Sequence, residues 1–160
     1  MLLLFARGQR PDIAVVREVA AGTDRLQVTC LLDDGADFAG VELLRDGMTY
    51  DLVGALPGRG VPVPRLAHRL GVARDLDEGE TEALSLQPGP HLAPGAGTMP
   101  VVRTMMGVAA MMVPHLPGLV ALAWRPAATL IGPDFFVSCM TAWLASSGAK
   151  SACPPSVAWT

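Results

Sequence analysis

A chain of 160 residues, 51% hydrophobic and 17% charged, is long enough for one domain with a sizeable buried core. Its net charge of −3 provides no basic surface for a nucleic acid, so we expect no nucleic-acid partner. The charges are unevenly distributed, because Arg125 and Asp134 are the only two between Arg103 and Lys150. The C-terminal third is therefore either a membrane segment or the buried core of a domain.

The uncharged residues 104–124 approach the length of ~20 residues that spans a bilayer as a helix. Pro114 and Pro117 interrupt this segment, and a proline inside a helix removes a hydrogen bond and clashes with the preceding turn. The apolar pieces on either side are too short to span a membrane. We therefore expect core elements here and no membrane partner.

The apolar N-terminal residues 1–5 have the length of a β-strand. A secretory signal carries basic residues before a longer apolar run, whereas here Arg7 and Arg10 follow a short one. The three cysteines are widely spaced in apolar sequence surroundings, unlike those of a disulfide framework. We therefore expect a cytoplasmic protein that begins with a strand.

The next segments show helical and then strand periodicity. Residues 11–21 place apolar side chains at helical spacing between Pro11 and Gly22, which suit the start and the end of a helix. Residues 26–32 alternate as the side chains of a strand do. These patterns predict one helix followed by one strand.

A hairpin follows in the sequence. Residues 40–44 and 48–53 flank Asp46 and Gly47, a pair that accepts the positive φ of a tight hairpin turn. Prolines and glycines predict a loop over residues 56–64.

The middle of the chain has weaker patterns. Residues 65–70 predict one or two helical turns ended by Gly71. The acidic residues 75–82 lack the spaced oxygen ligands of a calcium loop, so a solvated surface is favoured over a cation site. Residues 87–97 are rich in proline and glycine, which predicts a loop and a possible subdomain seam.

The C-terminal third has the clearest pattern. Thr98 as N-cap and Pro100 in the first turn predict a helix over residues 98–113, and its apolar residues on all sides indicate burial on every side. Residues 119–124 are apolar on both faces, which is typical of a central strand. Residues 127–131 then pair with them across a tight turn.

A last helix and a last strand complete the prediction. Gly132 and Pro133 open the helix, Asp134 complements the positive end of its dipole and Gly148 ends it. Residues 155–160 predict the strand. Together these elements predict a single α+β domain with a mainly antiparallel sheet packed against helices. The inward side chains of the last helix are Phe136, Met140, Trp143 and Leu144.

The C-terminal elements carry a series of spaced aromatic, aliphatic and proline residues, which are Trp124, Leu130, Pro133, Phe135 or Phe136, Pro155 and Trp159. In the order of its elements and the spacing of these residues, the segment 98–160 resembles a family of bacterial domains of unknown function. The resemblance implies an α+β fold in a bacterial protein, without an established activity, and it assigns no functional residue.

Sequence motifs for catalysis and cofactor binding are absent. The serines lack a nucleophile elbow, and neither a phosphate-binding loop nor a dinucleotide fingerprint occurs. His68, His91 and His115 are not spaced as paired metal ligands on one helix. We therefore expect no cofactor and no metal site.

The candidate ligand-binding residues are Trp124, Arg125, Asp134, His91 and His115. A short hairpin is expected to bring Arg125 and Asp134 to one rim of the sheet, beside Trp124. The alternative is that Arg125 caps a turn and Asp134 only stabilises a helix terminus. The two histidines join the candidates if the fold brings them to the same pocket.

Three classes of function remain open. The first is a non-enzymatic interaction domain that forms a homodimer or neutralises another protein. The second is a small-molecule binder with the methionine-rich helix as a wall, although methionines also fill cores. The third is an enzyme whose site is assembled from dispersed residues such as His68, His91 and Asp134. The helix's methionines are Met105, Met106, Met111 and Met112.

Overall fold

The computed structural model describes residues 1–33, 39–56 and 61–146. Within them the chain forms eight strands and three α-helices, joined by loops and short 3₁₀ turns. The strands are β1 (Leu2–Ala6), β2 (Gln27–Asp33), β3 (Ala39–Arg45), β4 (Met48–Val53), β5 (His68–Leu70), β6 (Thr81–Pro88), β7 (Leu119–Trp124) and β8 (Thr129–Ile131). The helices are α1 (Ile13–Ala21), α2 (Met99–Met112) and α3 (Pro133–Ser146).

These strands form one sheet in the spatial order β2-β3-β4-β6-β1-β7-β8-β5. Neighbouring strands are antiparallel, except that β5 and β8 run parallel. The predicted α+β fold with a mainly antiparallel sheet is confirmed. β1 pairs with β7 from the last third of the chain, so one sheet contains strands from both sides of the segment 87–97.

β1 lies in the interior of the sheet and is buried on both faces. Leu3 and Phe5 contribute to a larger core beneath the three helices, whereas Leu2 and Leu4 contribute to a smaller core on the opposite face. Successive side chains of a strand alternate between faces, so one apolar strand serves both cores. The segment around β5 covers the smaller core through Val61, Val63, Leu66, Val72 and Leu76.

α2 and α3 pack antiparallel over the larger core. Arg103, near the start of α2, contacts Trp143 near the end of α3, and Val113, just beyond α2, shares a groove with Val137 of α3. α2 is buried along one face, whereas its other faces are half-buried and its first residue, Met99, is 65% exposed. The prediction of burial on every side is therefore wrong, because the sheet and α3 cover only part of the helix. No helix in the described ranges is long and apolar enough to cross a membrane.

Most local predictions are confirmed within a few residues. These include the first strand, the helices predicted near α1, α2 and α3, and the hairpin, whose turn has Asp46 at φ 49° and Gly47 at φ 77°. The predicted helix end at Gly148 and the predicted strand over residues 155–160 lie outside the described residues.

Two segments differ from their predicted structure. The prediction of helical turns over residues 65–70 is wrong, because His68–Leu70 form β5 and pair with β8. No strand is predicted between the acidic run and the loop 87–97, yet β6 occupies Thr81–Pro88 between β4 and β1. In both places, pairing with strands remote in the sequence decides the conformation.

A close backbone contact at Gly132, between β8 and α3, leads to a stability prediction. A Cβ atom added there would overlap the carbonyl group of Gly71, and the Gly132 amide already donates to the Leu70 carbonyl oxygen at 2.8 Å. We expect Gly132→Ala to lower the free energy of unfolding by about 1–3 kcal/mol, as overpacking does elsewhere. Urea denaturation measures the change.

Gly97→Ala is the matched control, since nothing lies within 4 Å of a Cβ atom at that position. It should leave the free energy of unfolding nearly unchanged. Equal losses in the two variants would contradict the role of the close contact at Gly132.

Candidate functional site

An apolar cavity of about 230 Å³ lies between α2, α3 and the sheet. Four separate parts of the chain form its walls: the N-terminal residue, α2, the β7–β8 hairpin and α3. Such a position, between packed layers, is common for small-molecule sites. The lining side chains are Met1, Met106, Leu122, Trp124, Ile131, Phe136 and Met140.

The register of the sheet forms the floor of this cavity. Leu2 of β1 lies opposite Ala123 of β7, so Met1 and Trp124 are the next pair along the two antiparallel strands. β8 adds Ile131 from the other side of β7. Three neighbouring strands therefore present large apolar side chains on the same face.

The two helices form the roof, and Arg103 ties them together. Its guanidinium group donates to the Leu144 carbonyl oxygen at 2.7 Å and lies 5.5 Å from the centre of the Trp143 ring. These contacts lie about one helical turn from Met106 on α2 and from Met140 on α3. The spacing of the helices beside the cavity is thus held by a charge-assisted hydrogen bond and a cation–π contact.

The amino group of Met1 is buried beside the cavity wall. It donates to the Leu86 carbonyl oxygen at 2.8 Å. Burial, followed by the nearby charge of Arg125, lowers the pKa of this amine from 8.0 to about 6. Arg125 is therefore close enough to affect a group in the cavity wall.

The structure separates the residues predicted to form one rim. Trp124 is half-buried and lines the cavity, and Arg125 follows it on an exposed 3₁₀ turn. Asp134 lies beyond the opposite end of β8, in the first turn of α3, and no ion pair joins it to Arg125. The expectation that the hairpin brings Arg125 and Asp134 together is wrong, because β8 and Gly132 carry the chain away from the hairpin turn.

The predicted histidines do not meet at the cavity. His115 is exposed at the end of a 3₁₀ turn, next to Pro114, which lines a shallow groove with Asp134. His91 is exposed elsewhere, with Nδ1 3.4 Å from the hydroxyl oxygen of Thr49. His68 is exposed on the edge strand β5.

A row of polar side chains on the sheet was not predicted as a candidate site. Glu42, Asp51 and Gln87 lie opposite one another on β3, β4 and β6, on the face away from the helices. Asp51 is 8% exposed, and its Oδ1 atom has no hydrogen-bond partner among the described residues. Burial, then repulsion from Glu42, raises the pKa of the Asp51 carboxyl, and His91 opposes this shift. The signal in the sequence that could have indicated this row is an aspartate at an interior position of a mainly apolar strand.

The polar groups do not form a recognisable metal site. In residues 1–33, 39–56 and 61–146, no three histidine, cysteine or acidic side chains are placed to hold a metal ion. Cys30 and Cys139 are free thiols, and both are exposed rather than in apolar surroundings as their sequence context suggested.

Comparison with known proteins adds no relative. No family model, curated protein or solved structure matches the chain. The resemblance of residues 98–160 to a bacterial family of unknown function therefore stays a prediction. Function has to be inferred from the geometry of the cavity and of the sheet.

The buried carboxyl of Asp51 predicts a pH-dependent effect on stability. Because its pKa is raised above the ordinary value of 3.8, the unfolded chain loses this proton first as the pH rises, and the free energy of unfolding falls. Asp51→Asn removes the ionisable carboxyl and therefore this decrease in the free energy of unfolding. We expect the variant to be more stable than the wild type at neutral pH, and the difference to shrink as the pH falls below 3.8.

Urea denaturation at several pH values measures this difference. Asp24→Asn is the control, because the Asp24 side chain is 94% exposed. A lower stability of Asp51→Asn at neutral pH would show that the carboxylate is stabilising and would contradict the prediction.

Proposed function

We propose that this protein is a binding domain for a small apolar molecule, which it holds in the cavity between α2, α3 and the sheet. The observation that carries the proposal is the cavity itself, about 230 Å³ of space lined by apolar side chains. Small-molecule sites are concave and lined mainly by apolar side chains. The cavity matches this description, which supports ligand binding.

The size of the cavity sets the size of the ligand. An engineered apolar cavity of about 150 Å³ stays dry and binds benzene, whereas drug-sized ligands occupy about 300–1,000 Å³. At about 230 Å³ the cavity suits one ring or a short hydrocarbon chain. A bound ligand would also restore the packing contacts that an empty cavity lacks.

The methionines explain how such a ligand enters and fits. Met106 and Met140 are half-buried and lie on facing helices, and Trp124 is half-buried at the end of β7. Unbranched thioether side chains adapt their shape to irregular apolar surfaces. The roof of the cavity is therefore deformable, whereas the strands beneath it form a rigid floor.

Ligand binding is tested by thermal unfolding of the full chain with 1-octanol and with indole. A ligand at about 100 times its Kd raises the free energy of unfolding by about 2.7 kcal/mol, and the Tm rises with it. Met106→Trp should fill the cavity and remove the ligand-dependent rise in Tm. The proposal is rejected if neither compound raises the Tm of the wild type.

Met99→Trp is the matched control, because it places the same substitution on the same helix at a side chain that is 65% exposed. It should retain the full ligand-dependent rise in Tm. Equal behaviour of the two tryptophan variants would place the bound compound somewhere other than the cavity.

The edge strand β2 favours a second function, self-association. In the described part of the chain no strand pairs with its outer edge, and residues 27–32 contain neither a charge nor a proline. Proteins usually protect exposed edges with such residues. Leu31 is also 52% exposed. We infer that a second copy of this chain covers β2.

The sequence of β2 suits antiparallel pairing with itself. A bulge interrupts the regular strand geometry between Val28 and Cys30, so regular pairing with a second copy begins at Cys30. In a register centred on Leu31, the two Leu31 side chains meet across the twofold axis, and Cys30 of each copy lies opposite Leu32 of the other. The contact adds backbone hydrogen bonds and covers an exposed leucine.

Sedimentation velocity over a range of protein concentrations tests this pairing. We expect the wild type to form dimers as its concentration rises and Leu31→Lys to remain monomeric, since two lysines would face each other. Leu70→Lys, at the 45% exposed leucine of the opposite edge strand, is the control and should dimerise like the wild type. A wild type that stays monomeric at all concentrations rejects the dimer.

A further inference from the structure

Among the described residues, a positive charge lies beside the apolar cavity without a paired carboxylate. Arg125 directly follows the cavity-lining Trp124, and its side chain makes no hydrogen bond or ion pair with the described residues. After burial, the charge of Arg125 is the second cause that lowers the pKa of the Met1 amino group, and Met1 lines the cavity. Arg103, by contrast, is already engaged with α3. Arg125 is therefore the cation that remains available to a ligand.

Carboxylates are scarce in the elements that form the cavity. Between Arg103 and the end of α3, Asp134 is the single acidic residue, and it lies beyond the far end of β8 from Arg125. The Met1 amine has a pKa of about 6 and is mostly neutral at pH 7. Arg103 and Arg125 thus supply the permanent positive charge beside the cavity, and Arg103 is already bound to α3.

We propose that the ligand of this cavity is a small amphipathic monocarboxylate, with its apolar part among the methionines and its carboxylate at the guanidinium group of Arg125. The inference rests on the proposed function and adds the chemical class of the ligand. Guanidinium groups bind carboxylates through two parallel hydrogen bonds. The apolar part has about the size of one ring or a chain of roughly eight carbons, given the cavity volume.

Calorimetric titration of the full chain with three probes tests the charge preference. Octanoate, 1-octanol and octylammonium share one hydrocarbon chain and differ in the charge of the head group. We expect octanoate to bind about tenfold more tightly than 1-octanol, and octylammonium to bind most weakly, because the charged hydrogen bond forms with octanoate alone. Added salt should reduce the preference for octanoate, since Arg125 is exposed.

Arg125→Gln isolates the contribution of this side chain. The variant should bind octanoate and 1-octanol with equal affinity, and its affinity for 1-octanol should match that of the wild type. Retained binding of 1-octanol shows that the variant is folded. Arg74→Gln is the control at another exposed arginine and should keep the preference for octanoate.

Each outcome bears on one of the two proposals. If 1-octanol binds but octanoate binds no more tightly, or if Arg125→Gln keeps the preference, the carboxylate assignment is overturned and the apolar binding function stands. Tightest binding of octylammonium overturns the assignment as well. If none of the three probes binds, both proposals fail. Octanoate binding that survives in Met106→Trp places the carboxylate outside the cavity and also overturns the inference.

Discussion

The burial of β1 on both faces is the constraint on which the rest of the fold depends. Leu3 and Phe5 require cover on one face, and Leu2 and Leu4 require it on the other. Each such side chain contributes about 1.5–3 kcal/mol when fully buried. Antiparallel sheets commonly leave one face in water, but this sheet cannot do so at its centre. Three helices cover one face, and the irregular segment around β5 covers the other.

The apolar cavity forms where the helical layer meets the beginning of β1. The floor there is part of the sheet, because Trp124 ends β7 and Met1 directly precedes β1, the strand that pairs with β7. The roof consists of α2 and α3. Arg103 of α2 maintains the spacing between them through its contacts with Leu144 and Trp143 of α3. Methionines between such layers fill irregular gaps, and their flexible side chains adapt to the shape of a neighbouring group. The same side chains thus serve both the packing of the core and the proposed binding.

The uneven distribution of charge along the chain corresponds to a division within the fold. The nearly uncharged C-terminal third supplies α2, β7, β8 and α3, which enclose the cavity. The charged first part supplies the other six strands of the described sheet, on which Glu42 and Asp51 face away from the helices. An isolated cation such as Arg125 therefore has more influence beside the cavity than it would have among neighbouring carboxylates.

The sequence by itself determined the elements whose causes are local. Asp46 and Gly47 accept the positive φ of the hairpin turn, and Pro100 and Pro133 begin helices, whatever the rest of the chain does. Only the tertiary structure decided the identity of β5 and β6, because strands remote in the sequence supply their hydrogen-bond partners. The cavity belongs to this second group. Trp124 and the methionine-rich helix were predicted as ligand-binding candidates. Only strand pairing and helix packing brought them together and placed Asp134 away from them. The sequence could not show this, because contacts between distant residues leave no local pattern.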